Sequence, residues 1–191
     1  MNFRRLARRT VRWRPVAADG LEHLTIGPEE GEIVARGVIV GSRGGSAYGV
    51  DYTIVCGLDW AVRALDLGTT DGMAISLRSD GLGSWTRHDG KALPEFDGCI
   101  DIDLAGSAFT NTLPIRRLWP DLGRRSAHLA MLYVPFTTFV PVRDGQVYAG
   151  LEGGRRFRYE AEDRSFAADL PVDDDGLVLD YPTLFDRGRE F

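Results

Sequence analysis

Cysteine, histidine and lysine are all scarce in this 191-residue chain. Its two cysteines, Cys56 and Cys99, have no metal-type spacing, which excludes a disulfide framework and a zinc site and predicts reduced thiols in a cytoplasmic protein. The three histidines, His23, His88 and His128, fall at no ligand spacing from one another or from a cysteine, so neither a metal nor another cofactor is expected. No stretch approaches the roughly 18 uninterrupted apolar residues of a membrane-spanning helix. No apolar run follows the arginine-rich start, so neither a secretory nor a twin-arginine signal is complete. The serines lack the flanks of a nucleophile elbow. Gly41-Ser42-Arg43-Gly44-Gly45 lacks the Lys-Ser/Thr of a phosphate loop.

What is present is an uneven charge distribution. Residues 1–14 carry six arginines and no acid, leaving 17 basic against 28 acidic residues in the other 177, a net of −11. A body that acidic excludes nucleic acid as a partner, because phosphate contacts need clustered cations. Residues 1–14 are expected to form a flexible arm, as termini commonly do. With Phe3, Leu6, Val11 and Trp13 interspersed, its other use would be peripheral contact with an anionic membrane, or a touch on RNA by the arm alone. The length suits one domain, residues 15–191, after that arm.

Asp-Gly occurs seven times, at residues 19, 71, 80, 89, 97, 144 and 175, and the middle four are 9, 9 and 8 residues apart. Both residues tolerate the positive φ of tight hairpins, so the rhythm predicts short antiparallel strands. The runs between the turns alternate. Tyr48, Val50, Tyr52, Ile54 and Cys56 make one apolar face, as do Leu58, Trp60, Val62 and Ala64, then Met73, Ile75 and Leu77, then Ile100, Ile102 and Leu104, then Phe157 and Tyr159. Further strands are predicted at 21–27, 32–40, 83–88, 127–134, 146–151, 166–170 and 177–181, with one short helix around 114–122. About a dozen strands exceed what a flat open sheet carries. The expected fold is all-β, a single strongly curved antiparallel sheet closing into a barrel or half-barrel. A loose echo between 48–85 and 157–182 suggests an internal duplication.

Two groups of residues invite chemistry. Asp101 and Asp103 alternate on one strand, where paired carboxylates could shift each other's titration. The surrounding residues resemble the acidic strand motif of chitinase-like barrel enzymes, but Ala105 stands where that family has its catalytic Glu. The segment from Phe109 to Leu118 packs Thr110, Asn111, Thr112 and Pro114 beside Arg116 and Arg117. Arginine suits bidentate pairing, either with an anionic head group or internally with Asp101 or Asp103.

The stretch GCIDIDLAGSAFTNTLPIRRL, beginning at Gly98, resembles the signature of a bacterial family described as putative glycolipid-binding proteins. Tyr48–Asp66, Gly83-Ser84-Trp85, Gln146-Val147-Tyr148 and Gly176–Pro182 support the match, which runs over roughly residues 13–187. The resemblance implies a barrel-like fold similar to the half-barrel carriers of bacterial lipoproteins and lipids, and it carries no catalytic residue. The expected function is non-catalytic binding of a lipid or glycolipid in an apolar cavity lined by Trp60, Trp85, Tyr133 and Tyr148. Asp101, Asp103, Asn111, Arg116 and Arg117 would hold the head group at its rim. The alternative is a small hydrolase or isomerase of a lipid or sugar derivative, with Asp101, Asp103 or His88 as acid or base. A third reading is a solidly packed scaffold without a ligand, and the oligomeric state is left open.

Overall fold

The computed structural model describes residues 3–188. Met1, Asn2 and residues 189–191, the ends of the expected arm and domain, lie outside the described residues. The strands in chain order are β1 (Arg9–Pro15), β2 (Gly20–Glu29), β3 (Glu32–Arg43), β4 (Ser46–Cys56), β5 (Val62–Thr69), β6 (Ala74–Ser79), β7 (Trp85–Arg87) and β8 (Asp101–Leu104). A short α-helix, α1 (Thr112–Leu118), precedes β9 (Ala127–Val134), β10 (Val142–Gly150), β11 (Arg156–Ala161), β12 (Ala167–Pro171), β13 (Asp180–Tyr181) and β14 (Phe185–Arg187). They form two sheets in one domain, a nine-stranded sheet in the order β13-β14-β1-β2-β3-β4-β5-β6-β7 and a five-stranded sheet in the order β12-β11-β10-β9-β8. The pairing is antiparallel except between β8 and β9. The larger sheet curves into a half-barrel and does not close.

The alternation in β4 determines which side faces the core. Val50, Tyr52, Ile54 and Cys56 are buried while Asp51 is exposed. Its partner β3 runs in register from Ile33 opposite Cys56 to Arg43 opposite Ser46. Gly37 sits opposite Tyr52, and a Cβ there would collide with the Tyr52 ring, so the missing side chain is what lets the ring lie flat across β3. The β4–β5 register slips between Val55 and Cys56, where a bulge adds Arg63. The expected 58-60-62-64 face holds in part, since Trp60, Val62 and Ala64 are buried. Leu58 is exposed, Trp60 turns the chain at φ +68°, and beyond the bulge Leu65 and Leu67 enter the core.

The concave face of the nine-stranded sheet is filled by Trp13, Leu24, Ile26, Ile54 and Leu65, packed against Ile102, Phe109, Ile115, Leu132 and Phe157 of the second layer. Each side chain of this size removed from water is worth about 1.5–3 kcal/mol. Cys56 and Cys99 are free thiols inside this core, and burial pushes both up.

Four expectations change. The arginine-rich segment is not a flexible arm: β1 pairs with β2 and β14, and Trp13 is fully buried with its Nε1 donating to the Val178 carbonyl at 2.9 Å. Leu6 and Val11 are buried too, and Phe3 packs against the core, so the apolar groups that a membrane contact would use are occupied. Arg4 and Arg9 pair with the buried Asp175, so two of the six arginines are tied into the fold. Asp144-Gly145 is no turn but the middle of β10, where Gly145 has no Cβ to meet the Glu162 side chain. The two echoing segments are not equivalent, since 48–85 is a contiguous meander within one sheet and 157–182 passes from the five-stranded sheet to the nine-stranded one. The predicted helix appears at Thr112–Leu118, slightly earlier than expected, and Pro114 fits its first turn, where backbone N–H groups lack helical partners.

Candidate functional site

An open cavity of about 670 Å³ lies between the half-barrel and the second sheet, within the range of roughly 300–1,000 Å³ usual for small-molecule sites. One side is aromatic, because the chain crosses from β11 and β12 back to β13 and β14 there. Tyr159, Phe166, Tyr181 and Phe185 form a continuous run of ring contacts with centroids about 6.1 Å apart. Tyr48 from β4 and Tyr133 from β9 join the lining. The polar lining comes from Asp103, Ser107, Asn111, Asp144, Glu162 and Asp163, with Arg43 carrying the opposite charge.

Asp103 is held by hydrogen bonds at both carboxylate oxygens. Its Oδ1 accepts from the Thr110 hydroxyl at 2.9 Å, and its Oδ2 accepts from the Gln146 amide at 2.8 Å. The same amide nitrogen lies 3.4 Å from Asp144 Oδ2. Thr110 is itself held by the Leu104 N–H, which donates to its Oγ1. Behind this pair, the Tyr148 hydroxyl sits 2.9 Å from Asn111 Oδ1 and 3.2 Å from Gln146 Oε1. Burial pushes the Asp103 carboxyl up, Gln146 and Thr110 pull it down, and the neighbouring Asp144 charge raises it again. The phenols of Tyr133, Tyr159 and Tyr181 are also raised, first by burial and then by the Asp103 charge, so they stay neutral at physiological pH.

The structure brings Asp103, Asn111 and Tyr133 to the cavity and separates them from the other candidates. Asp101, 1% exposed, is locked in a bidentate ion pair with Arg117 of α1, with Arg117 Nη2 2.5 Å from Asp101 Oδ2. Both lie outside the cavity lining, so Asp101 and Asp103 make no acid/base couple, and the internal pairing considered for the two arginines holds for this one. The Arg116 guanidinium stacks 4.5 Å over the Trp60 ring and 5.1 Å over Phe3 while donating to the carbonyls of Arg4 and Asp175. It clamps the chain's first residues to the loop before β13 rather than facing a ligand. Trp60 lies beneath it, and Trp85 is buried with its Nε1 donating to the Cys99 carbonyl at 2.7 Å. Tyr148 stands one layer behind the wall, and His88 is exposed and outside the lining.

Sequence reasoning missed Tyr48, Tyr159, Phe166, Tyr181, Phe185, Asp144 and Glu162 as lining residues. Tyr48 and Tyr159 did carry a signal, since each belonged to a predicted apolar strand face. The rest depend on which ends of two sheets come together. Among the described residues, no group of three or more His, Cys, Asp or Glu is placed to hold a metal ion. No helix among them is long and apolar enough to cross a membrane.

The fold and site define an all-β half-barrel with an open cavity of tyrosines and carboxylates at the seam between its two sheets. The family model described as "Putative glycolipid-binding" matches residues 10–187, taking in β1, and the chain belongs to that family. A crystal structure of a DUF1089 family protein from Pseudomonas aeruginosa is similar to it, with a TM-score of 0.74 and 36% identity over 87% of this chain and 91% of that one. No curated protein matches the sequence.

Proposed function

We propose that the protein is a non-catalytic binding module for a glycolipid, with the sugar-bearing end of the ligand seated in the cavity between the two sheets. The observation that carries this reading is the pairing of an aromatic wall, Tyr159, Phe166 and Tyr181, with the fixed acceptors Asp103 and Asn111. Flat aromatic faces suit the apolar faces of a sugar ring. Pre-positioned carboxylate and amide oxygens accept its hydroxyls without a cost of ordering. Leu184 and Phe185, which also line the cavity, offer apolar surface for the hydrocarbon part in this reading. Each buried methylene contributes about 0.8 kcal/mol before ordering costs. The head-group role expected of Arg116 and Arg117 passes to Asp103, Asn111 and Asp144, because the two arginines are engaged elsewhere in the fold.

Titration calorimetry with octyl β-glucoside tests the reading. The wild-type chain is expected to bind it. Ala161→Trp, which places an indole in the cavity, should weaken binding at least about tenfold while leaving the circular dichroism spectrum unchanged. Equal binding by a folded Ala161→Trp variant would move the site elsewhere.

A further inference from the structure

Resting on that reading, we propose that the head group taken by the cavity carries a protonated amine, which supplies the counter-charge that Asp103 lacks within the protein.

Three observations converge on this chemistry. First, Asp103 is bonded to two neutral donors, the Thr110 hydroxyl and the Gln146 amide, and forms no ion pair among the described residues. Buried charges in proteins are normally paired, as Asp101 is with Arg117 a few residues away. Each oxygen of the Asp103 carboxylate keeps a further lone pair for a donor. Second, the lining is lopsided in charge: Asp103, Asp144, Glu162 and Asp163 face one guanidinium, that of Arg43. The Arg43 Nη1 is directed to the Ala105 carbonyl at 3.2 Å, and its pull on Asp103 is weaker than the effects of burial, Gln146, Thr110 and Asp144. Third, the rings beside this negative field are Tyr133, Tyr159 and Tyr181, whose neutral phenols present π faces that attract a cation and add no charge of their own.

A carboxylated or phosphorylated head would bring like charge against four carboxylates, and an uncharged sugar would leave Asp103 without a counter-ion. An ammonium group satisfies the carboxylate with charge-assisted hydrogen bonds and the rings with cation–π contact in one position. An amino sugar also keeps the hydroxyls that Asn111 and Asp144 can accept.

The test compares four amphiphiles of equal tail length by titration calorimetry on the full-length chain: octyl β-glucosaminide, octyl β-glucoside, octyl β-glucuronide and octyltrimethylammonium. The glucosaminide is expected to bind at least about tenfold tighter than the glucoside, as a charge-assisted bond would give, and the glucuronide not measurably. Asp103→Asn should erase the amine's advantage to within about twofold, read as the ratio of glucosaminide to glucoside affinity measured on the same variant. Asp144→Asn should shrink the advantage partially, and it serves as the second variant if Asp103→Asn fails to fold. Binding of octyltrimethylammonium as tight as that of the glucosaminide would support the cation and assign its source to a sugar-free head group. Equal affinity for glucoside and glucosaminide, or an advantage untouched by both variants, would overturn the inference while leaving the glycolipid reading intact. Failure of all four amphiphiles to bind would instead remove the binding reading on which it rests.

Discussion

The Tyr52 hydroxyl donates to the Glu22 carboxylate at 2.6 Å, inside the half-barrel and away from water. Glu22 also accepts from the Ser107 hydroxyl at 2.5 Å and from the Ala108 N–H at 3.1 Å. One carboxylate on β2 therefore ties the curved sheet to the loop that delivers Ser107 and Asn111 to the cavity. Gly37 makes the arrangement possible, because the Tyr52 ring occupies the space of its missing side chain.

Burial pushes the Glu22 carboxyl up to about 7, against the four donors, Ser107, Tyr52 and the Ala108 and Phe109 N–H groups, that favour its charged form. A carboxyl raised in the folded state binds its proton more tightly there than in the unfolded chain. Its contribution to stability is therefore fully present below pH 4.5 and is lost as pH rises through about 7. Glu22→Gln removes this dependence. The stability of the wild type relative to the variant should fall by at most about 3 kcal/mol between pH 4.5 and pH 8, read from urea midpoints at matched pH. Parallel curves across that window would mean that Glu22 does not titrate there.

The buried Asp101–Arg117 pair is structural, and removing one partner should show it. Arg117→Met leaves a carboxylate with no counter-charge at a site 1% exposed, and about 3–5 kcal/mol of unfolding free energy should be lost in urea denaturation. The double variant Asp101→Leu/Arg117→Met should recover most of that loss, because an apolar pair of similar volume carries no desolvation penalty. If the single change costs less than about 1 kcal/mol, the pair is as solvated as an ordinary surface ion pair and the reading is wrong.

β1 is part of the core, and Trp13 is its anchor. Trp13→Ala opens a cavity at a fully buried indole and abandons the Val178 carbonyl, so a loss of about 3–5 kcal/mol is expected in thermal or urea unfolding. A flexible arm would predict no change. Trp13→Phe should lose less, since it keeps most of the packing and forfeits the indole hydrogen bond.

Much of the scaffold was legible because a strand's side chains alternate locally. The faces of β4 and β11 follow directly from that period, and Asp-Gly marks turns at residues 71 and 175 because positive φ there is a local demand. Local rules misled where a distant contact intervened. At Gly145, Glu162 needed the space; at Arg63, a bulge reversed the parity; at Trp13, a partner strand from residues 185–187 helped turn the expected arginine-rich arm into sheet. The candidate site divided in the same way. Asp103 and Asn111 lay in the segment that sequence singled out, whereas Tyr159, Phe166, Tyr181 and Glu162 came from elements whose ends meet when two sheets pack.

Chain chemistry alone determined that this protein is built of short alternating strands punctuated by Asp-Gly, since handedness and side-chain period act between neighbours. The tertiary structure decided which carboxylate is neutralised and which is left to face a cavity. Arg117 reaches Asp101 and not Asp103, and the geometry of α1 against β8 sets that, which no pattern along the chain encodes.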